Sequence, residues 1–211
     1  MDGEGGVVGR IRKIFRAIKH QRQIRELISS HLCVLENGYN FLCGGLSDEE
    51  EQGLVTLLSQ NKSIGPGIII EFGALFGVTT LLLASLKEKN QKILAVENFC
   101  WNPFGLRPEQ HKSFALRFLR YGIASGDIEL AMCSSAVFRK HYNGAPPLMV
   151  FLDADHSYEA VRDEIAWAKD LGVQIISGHD YGNQKFGVTR AVDEAFPSGV
   201  DVRGSVWWNK Q

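Results

Sequence analysis

The chain has 211 residues, which one domain with a sizeable core can account for. Apolar residues make up 45% of it and charged residues 22%, a composition typical of globular proteins and not of disordered ones. The formal net charge of -1 gives no reason to expect a nucleic-acid partner. No apolar run reaches the roughly 18–20 residues of a membrane span, and the N-terminus lacks the apolar segment of a signal peptide.

The cysteines are scattered along the chain, at Cys33, Cys43, Cys100 and Cys133. They form no Cys-x-x-Cys pair and have no spacing typical of a zinc site. We therefore expect free thiols in a reducing compartment, and hence a cytoplasmic protein.

The N-terminal segment carries a strong local charge. Seven basic residues and no acid lie between Arg10 and Arg25. Apolar residues at helical spacing over 10–28 predict a basic amphipathic helix. We expect this helix to pack on the domain or on a second subunit, as in a homo-oligomer. Contact with a membrane surface or with an anionic substrate is the less favoured alternative.

The first 64 residues are predicted to form a helical extension. Ser47 with Glu50 three residues later is a capping box, and it begins a helix that should run to about Ser59. Gly65-Pro66-Gly67 interrupts the helical pattern. The sequence therefore divides into a helical extension over 1–64 and a main domain over 65–211.

Strand and helix patterns alternate through the main domain. Strands are predicted at 67–72, 92–98, 128–133, 148–153 and 173–178, and helices at 77–88, 107–121, 157–170 and 187–196. The alternation predicts a doubly wound α/β fold, with a mostly parallel sheet and helices on both faces. The segment 201–208 is predicted to close the sheet as a hairpin or an edge strand.

The stretch from Ile68 to Thr80 reads Ile-Ile-Ile-Glu-Phe-Gly-Ala-Leu-Phe-Gly-Val-Thr-Thr. It predicts a buried strand, a tight turn and a helix start, the geometry of a nucleotide-type site at the carboxyl edge of a parallel sheet. A dinucleotide loop needs a middle glycine, where this chain has Leu75, and Glu71 would repel a diphosphate. The motif therefore favours a ligand with an amino-acid end and a ribose.

Side chains that could bind a ligand follow the other strands as well. Glu97, about 20 residues past the glycine loop, is placed to accept the hydroxyls of a ribose. Ser134 and Ser135 follow the third strand, where they would either contact an adenine edge or cap the next helix.

The fourth and fifth strands are followed by acids and histidines. These residues are Asp153, Asp155, His156, His179 and Asp180. They should converge, because the carboxyl ends of neighbouring parallel strands meet at one edge of a sheet. Carboxylates with imidazoles suit a divalent cation such as Mg²⁺ with a nearby base. The structural alternatives are a helix cap at Asp155 and a buried structural histidine at His179.

Three segments together resemble the class I S-adenosylmethionine-dependent methyltransferases, over about Gly67 to Phe196. The segments are 71–80, 151–159 and 178–181. The last two are most similar to a group of small-molecule O-methyltransferases that includes sugar and antibiotic-tailoring enzymes, some of them Mg²⁺-dependent. The resemblance implies a Rossmann-like, seven-stranded sheet, S-adenosylmethionine (SAM) as cofactor, and O-methylation of a small hydroxylated molecule such as a sugar, a phenol or a natural product.

The resemblance also implies the residues that would contact the cofactor. They lie in the glycine loop and at three strand ends: Glu71, Gly73, Ala74, Gly77, Thr79, Glu97, Ser134 and Asp153. Glu97 would hold the ribose, and Ser134 would lie near the adenine.

For the chemistry, the resemblance implies Mg²⁺ ligands at Asp153 and Asp180, with His179 as a further candidate. His156 stands where catechol-type relatives have a basic lysine, so it is the expected general base that takes the acceptor's hydroxyl proton. These relatives have an oxygen ligand beside the fifth-strand acid, where this chain has His179 and Tyr181. Because Mg²⁺ prefers oxygen, metal dependence stays open.

Other functional classes stay open too. An NAD-type oxidoreductase is disfavoured by the glycine spacing. A non-catalytic protein that keeps this fold to bind the cofactor or a partner fits the basic N-terminal helix, and an antibiotic-hydroxylase-like member of the same family fits the local motif. Among the aromatic residues after the second strand, we expect Phe114 and Phe118 in the core and the turn 102–105 as a lid over the acceptor.

Overall fold

The computed structural model describes residues 46–61, 65–101 and 106–210. The predicted basic helix over 10–28, with its expected part in oligomer formation or membrane contact, lies outside the described residues, as does the predicted lid over 102–105. Cys100 and Cys133 are free thiols.

The strands form one seven-stranded sheet in the order β3-β2-β1-β4-β5-β7-β6. They are β1 (Gly67–Phe72), β2 (Gln91–Val96), β3 (Ile128–Ala131), β4 (Met149–Leu152), β5 (Ile175–Gly178), β6 (Asp201–Arg203) and β7 (Val206–Lys210). The first five strands are parallel, and β7 pairs antiparallel with both β5 and β6. The predicted mostly parallel sheet is confirmed, and the C-terminal segment closes it as a hairpin.

Helices cover both faces of this sheet. They are α1 (Asp48–Gln60), α2 (Val78–Leu86), α3 (Pro108–Phe118), α4 (Arg120–Ser125), α5 (Ser135–His141), α6 (Tyr158–Asp170) and α7 (Val188–Ala195). Alternate strand residues point to opposite faces, so Ile70 packs in one core cluster with α6 and α7, and Ile69 packs in another with α1 and α2. Helix α1, from the predicted N-terminal extension, thus lies directly on the sheet. Among the described helices, none is both long and apolar enough to span a bilayer.

The helix predicted over 107–121 is broken into α3 and α4 at Leu119. This residue is fully buried, and its ψ of -2° departs from the helical value. The apolar spacing continues through the break, so the sequence pattern does not reveal it. Phe114 is buried as predicted. Phe118 packs both against the small cluster that contains Phe114 and against the cluster that contains Ile69.

Four of the parallel strands, β2 to β5, are shorter than predicted, and local turns show the reason at β3 and β5. Strand β3 ends at Ala131, because the N–H of Cys133 turns back to donate to the Ala131 carbonyl at 3.2 Å. Strand β5 begins only at Ile175, because the N–H of Val173 still donates to Ala168 O at 3.0 Å, in the turn that ends α6. Local turn hydrogen bonds therefore set these boundaries.

Backbone hydrogen bonds also join the residues that immediately follow the carboxyl ends of the parallel strands. Backbone N–H groups of Gly73, Glu97, Asp153 and His179 each donate to the last carbonyls of a neighbouring strand, at 2.9–3.1 Å. Each of these residues begins a loop at the same edge of the sheet. This edge is where the sequence placed the candidate functional residues.

Candidate active site

The loop after β1 lies against the tips of neighbouring strands. Gly73 has a left-handed φ of 90°, and its N–H donates to Val96 O at 2.9 Å. A Cβ at Gly73 would lie 2.1 Å from the backbone oxygen of Asp153, so glycine is what lets the loop pass so close to the end of β4. Gly77, at a φ of 92°, similarly leaves room for Leu119. Both glycines serve the packing of the loop, whichever ligand it binds.

Two side chains hold the backbone of Leu75 at the centre of this loop. Its φ of 48° is left-handed, which is uncommon for a residue with a Cβ. Its N–H donates to Glu97 Oε2 at 2.8 Å, and its carbonyl oxygen lies 3.0 Å from His111 Nε2. Because a carbonyl only accepts, His111 donates from Nε2, and burial lowers the pKa of His111, which favours the neutral ring. Sequence reasoning missed His111, because nothing in its helix pattern marks it.

Glu97 follows β2, as predicted, and it is almost fully buried. Its Oε1 accepts from the Phe99 N–H at 2.7 Å, while Oε2 accepts from Leu75. Each carboxylate oxygen has a second lone pair, so the group retains the capacity to accept ribose hydroxyls. That role stays a prediction.

Glu71 is the second-to-last residue of β1 and is fully buried, whereas the sequence placed it at the strand tip. Thr80 Oγ1 donates to its Oε2 at 2.5 Å, and its Oε1 has no hydrogen-bond partner among the described residues. Burial raises the pKa of Glu71 to about 8, with Asp153 and Glu97 adding to the rise and Thr80 opposing it. The carboxyl group is therefore largely protonated at neutral pH. Ala74 and Thr79, two further residues of this motif that are predicted to contact the cofactor, are also buried.

Ser134 caps helix α5. Its side chain accepts from the Val137 N–H at 3.2 Å, which is the capping alternative weighed from the sequence. A contact of Ser134 with the adenine stays a prediction.

The acids and histidines after β4 and β5 converge, as the sequence predicts. His156 Nε2 lies 3.4 Å from both Asp153 Oδ1 and Asp180 Oδ2. His179 Nδ1 approaches the same two oxygens, at 3.5 and 3.6 Å. We call Asp153, His156, His179 and Asp180 the acid–histidine cluster. One ligand atom from each of Asp153, His156 and Asp180 lies within 4.8 Å of the others, a spacing compatible with a shared cation.

Asp155 does not join the cluster. Its Oδ1 accepts from the Ser157 N–H at 2.9 Å, so Asp155 has a structural role in the turn before α6, but the residue that caps the helix is Ser157. Asp180 has a left-handed φ of 61°, and Asn183 Nδ2 donates to its Oδ1 at 3.3 Å. A strained backbone conformation of this kind commonly marks a functional position.

Glu50 of α1 reaches the cluster, and sequence reasoning missed it as a site residue. Its Oε1 lies 3.1 Å from His179 Nε2. The same carboxylate accepts from the N–H and hydroxyl of Ser47 and from the N–H and hydroxyl of Ser205. In the sequence, the capping box fully accounts for Glu50, and its approach to the end of β5 depends on how α1 packs.

The carboxylates of the cluster control the protonation of its histidines. Burial alone would lower the pKa of His179, but its hydrogen bond and charge contact with Asp153, together with Asp180 and Glu50, raise it to about 9. The pKa of His156 is also raised, because Asp153 and Asp180 outweigh its burial. For Glu50, the Ser205 and Ser47 hydrogen bonds outweigh burial and lower its pKa to about 2.

No protein-family model and no curated protein matches this sequence, but solved structures match its fold. The O-methyltransferase TomG from Streptomyces achromogenes, solved in complex with SAM, has a TM-score of 0.58 and 14% identity, over 87% of this chain and 87% of its own. CalS11, a TDP-rhamnose 3'-O-methyltransferase, has a TM-score of 0.56 and 17% identity, over 81% and 83%. An O-methyltransferase from Bacillus cereus in complex with SAH has a TM-score of 0.55 and 15% identity, over 79% and 82%. The chain has the class I methyltransferase fold.

Beside the acid–histidine cluster, this methyltransferase fold has an open cleft of about 510 Å³. The loop after β5 and helix α7 line it, with Asn183, Phe186, Thr189 and Asp193 among the lining residues. The Phe186 ring is 38% exposed, and its centroid lies 4.5 Å from that of the His156 ring. The cleft and the cluster therefore share a wall.

Proposed function

We propose that the protein is a SAM-dependent O-methyltransferase that acts on a small hydroxylated molecule. The observation that carries this proposal is the convergence of His156 with Asp153 and Asp180, at the edge of the sheet that also carries Glu97 and the glycine loop. TomG and CalS11, which share the fold, are O-methyltransferases, and TomG was solved with SAM.

The residues around the glycine loop fit the cofactor. Glu71 has a buried oxygen without a hydrogen-bond partner among the described residues. A ligand ammonium group beside it would donate to that oxygen and would lower the raised pKa of Glu71, so that the carboxyl group ionises when the ligand binds. Glu97 keeps two lone pairs for the ribose hydroxyls. When bound, SAM would supply a methyl group on a positively charged sulfur, which is already reactive toward an oxygen nucleophile.

His156 is the proposed general base. His156 Nε2 would take the hydroxyl proton of the acceptor as its oxygen attacks the methyl group that SAM would supply, with the neutral thioether as the leaving group. Asp153 and Asp180, each 3.4 Å from this nitrogen, stabilise the imidazolium that results. Much of the acceleration should come from holding the acceptor hydroxyl in line with the methyl group.

Asp153 and Asp180 are also the residues that would hold a divalent cation, which would stabilise negative charge on the acceptor oxygens. One carboxylate oxygen of each lies within 4.8 Å of the other, and carboxylate oxygens are the hard donors that such a cation prefers, which leaves His156 Nε2 free to act as the base. The donor set therefore fits a cation.

We place the acceptor in the cleft beside the cluster. Phe186 offers an apolar face next to the His156 ring, and Asn183 offers an amide that already bonds Asp180. An apolar face with polar side chains around it suits a sugar, a phenol or a natural product that carries hydroxyl groups.

Calorimetric titration with SAM and with SAH tests the cofactor. We expect Glu97→Gln to weaken binding of both at least about tenfold, because an amide cannot accept from the ribose and from two backbone N–H groups as a carboxylate does. The matched control is Glu129→Gln, at an exposed position of the same sheet, which should bind normally.

Methyl transfer to hydroxylated acceptors tests the chemistry. His156→Ala should keep its SAM affinity and lose about 10²–10⁴ in kcat, the usual contribution of a general base. The exposed His141→Ala is its control. Undiminished turnover in His156→Ala would remove the base assignment, and SAM binding without transfer to any acceptor would favour the non-catalytic alternative.

A further inference from the structure

Two strained backbone positions lie next to one buried histidine. Among the described residues, a left-handed φ occurs at three residues that have a Cβ: Leu75 at 48°, Phe99 at 58° and Asp180 at 61°. Leu75 and Phe99 belong to different loops, after β1 and after β2, and both contact His111. Such conformations cost free energy, and they persist only where the surrounding structure holds them.

The two loops share one carboxylate. Glu97 Oε2 accepts from the Leu75 N–H at 2.8 Å, and Oε1 accepts from the Phe99 N–H at 2.7 Å. Each strained residue therefore places an N–H on a different oxygen of the same group, which fixes the plane of the carboxylate. Because one lone pair remains on each oxygen, the orientation of Glu97 toward two adjacent hydroxyl groups depends on both N–H groups.

His111 completes this arrangement from helix α3. Its Nε2–H donates to Leu75 O at 3.0 Å, and its ring contacts the Phe76 and Phe99 rings edge-on, with centroids 4.8 and 5.1 Å away. Leu75 is thus held at both ends, its N–H by Glu97 and its carbonyl by His111. Without the second contact, the peptide unit that carries this carbonyl can turn, and the left-handed φ loses a restraint.

This one hydrogen bond is what requires a histidine at position 111. Burial lowers the pKa of His111 and favours the neutral ring, and Nδ1 is buried without a hydrogen-bond partner among the described residues. A buried lone pair without a partner costs stability. An apolar side chain of similar size would fill the space beside Phe76 and Phe99 without that cost. What histidine adds is the N–H that reaches Leu75 O.

We propose that His111 is a positioning residue for the cofactor: by holding Leu75 O, it keeps the Leu75 N–H on Glu97 and keeps the Glu97 carboxylate turned toward the ribose hydroxyls. The inference rests on the proposed function, because it concerns the cofactor of that same site. His111 is fully buried, so it acts through Leu75 and Glu97 and not by touching the cofactor.

Two amide variants separate the hydrogen bond from the rest of the side chain. Glutamine carries its amide nitrogen as many bonds from Cβ as Nε2 of histidine, whereas asparagine carries it as many as Nδ1. In calorimetric titration with SAH, His111→Leu and His111→Asn should bind about tenfold more weakly than the parent, the usual effect of losing one buried hydrogen bond. His111→Gln should recover most of the affinity. Parent-like binding by His111→Leu, or equal binding by the two amide variants, would overturn the proposal.

A ribose analogue tests whether the effect passes through Glu97. SAH and its 2′-deoxy analogue are titrated into the parent and into His111→Leu. A residue that acts through Glu97 matters less for a ligand that lacks a hydroxyl for Glu97 to accept. His111→Leu should therefore weaken binding of the 2′-deoxy analogue several-fold less than binding of SAH. Equal weakening of both ligands would show that His111 supports the fold and not the ribose contact.

Hydrogen exchange measures the same contact without a ligand. In the cofactor-free protein, the Leu75 amide should exchange faster in His111→Leu and His111→Asn than in the parent and His111→Gln, because its N–H leaves Glu97 more often. The control is Ile128→Val, a truncation in the core at the amino end of β3, away from these loops. It should lower stability and leave SAH affinity unchanged. If it weakened SAH as much as His111→Leu does, affinity would merely follow stability.

The outcome for His111 is separable from that for the proposed function. If the parent and His111→Leu bind SAH equally well, the positioning role falls and the methyltransferase stands. If the parent binds neither SAM nor SAH, the proposed function falls and takes the cofactor role of His111 with it. The exchange rates then still decide whether His111 holds Leu75.

Discussion

Glu71 is a carboxyl group in an environment that suits it only when it is protonated. It is fully buried, one oxygen accepts from Thr80, and the other has no hydrogen-bond partner among the described residues. Its pKa is raised from an ordinary 4.5 to about 8. The folded protein therefore keeps a proton that the unfolded chain releases between these two pH values.

This proton predicts how stability changes with pH. Since the folded state binds more protons, the free energy of unfolding of the parent should fall as pH rises from 4.5 to about 8, by up to about 1.4 kcal/mol per pH unit from this group. Glu71→Gln resembles the protonated acid and cannot titrate. Its unfolding free energy should be close to that of the parent at about pH 5 and should exceed it increasingly toward pH 8.

Urea unfolding of the parent, Glu71→Gln and the exposed control Glu129→Gln across this range checks the prediction. The difference between the parent and Glu71→Gln isolates the one group, although other residues also titrate. Parallel curves for the two proteins would mean that Glu71 is ionised when buried.

At this scale, the sequence predicted the convergence of the candidate site residues better than it predicted the residues that contact them. Asp153, His156 and Asp180 could be placed together because strand ends of a parallel sheet converge. Glu50 and His111 could not, because their partners lie far along the chain and their positions depend on the packing of helices. In the sequence, Glu50 is explained by the helix cap and His111 is one residue of a helix, so neither position indicates a role in the site.

Among the elements, the loop between β1 and α2 shows how closely two strand ends approach. At Gly73 a side chain would meet the backbone of Asp153, which is fixed by its own N–H bond to Phe72 O at 2.9 Å. Since neither backbone can move without losing sheet hydrogen bonds, the contact has little room to relax.

Gly73→Ala should destabilise the protein by about 2–5 kcal/mol, the sum of left-handed strain and overpacking. Gly126 is the matched position: its φ of 78° is also left-handed, but nothing lies within 4 Å of a Cβ placed there. Gly126→Ala should therefore cost only the strain, about 1–2 kcal/mol. Urea unfolding measures both, and equal losses would show that close approach is not what requires Gly73.

The order and type of the main elements followed from the sequence, and their ends did not. Five apolar strand patterns separated by helical patterns were enough for the parallel sheet. The break between α3 and α4 at Leu119 has no apolar-pattern signal, because the side chain on each side of the break faces the same core. The antiparallel hairpin was foreseen as a closing element, but not the insertion of β7 between β5 and β6.

For the molecule as a whole, the proposed function makes the cleft beside the cluster the feature that sets which acceptor can reach His156. Phe186→Ala should raise KM for a ring-bearing acceptor roughly tenfold, because it removes about 1–2 kcal/mol of apolar contact. SAM affinity should not change. Steady-state kinetics with Val202→Ala, an exposed apolar residue of the edge strand β6, provide the comparison. An unchanged KM in Phe186→Ala would place the acceptor elsewhere.

The antiparallel insertion of β7 has a consequence for how the protein is made. Because β7 runs against β5, its first residues lie where β5 ends, and Ser205 there accepts from the Tyr181 N–H and donates to Glu50. Residues 155 positions apart thus close one side of the site. On the ribosome, Glu50 emerges early and waits for Ser205, so the hydrogen bonds that join these two residues form only after position 205 has been synthesised.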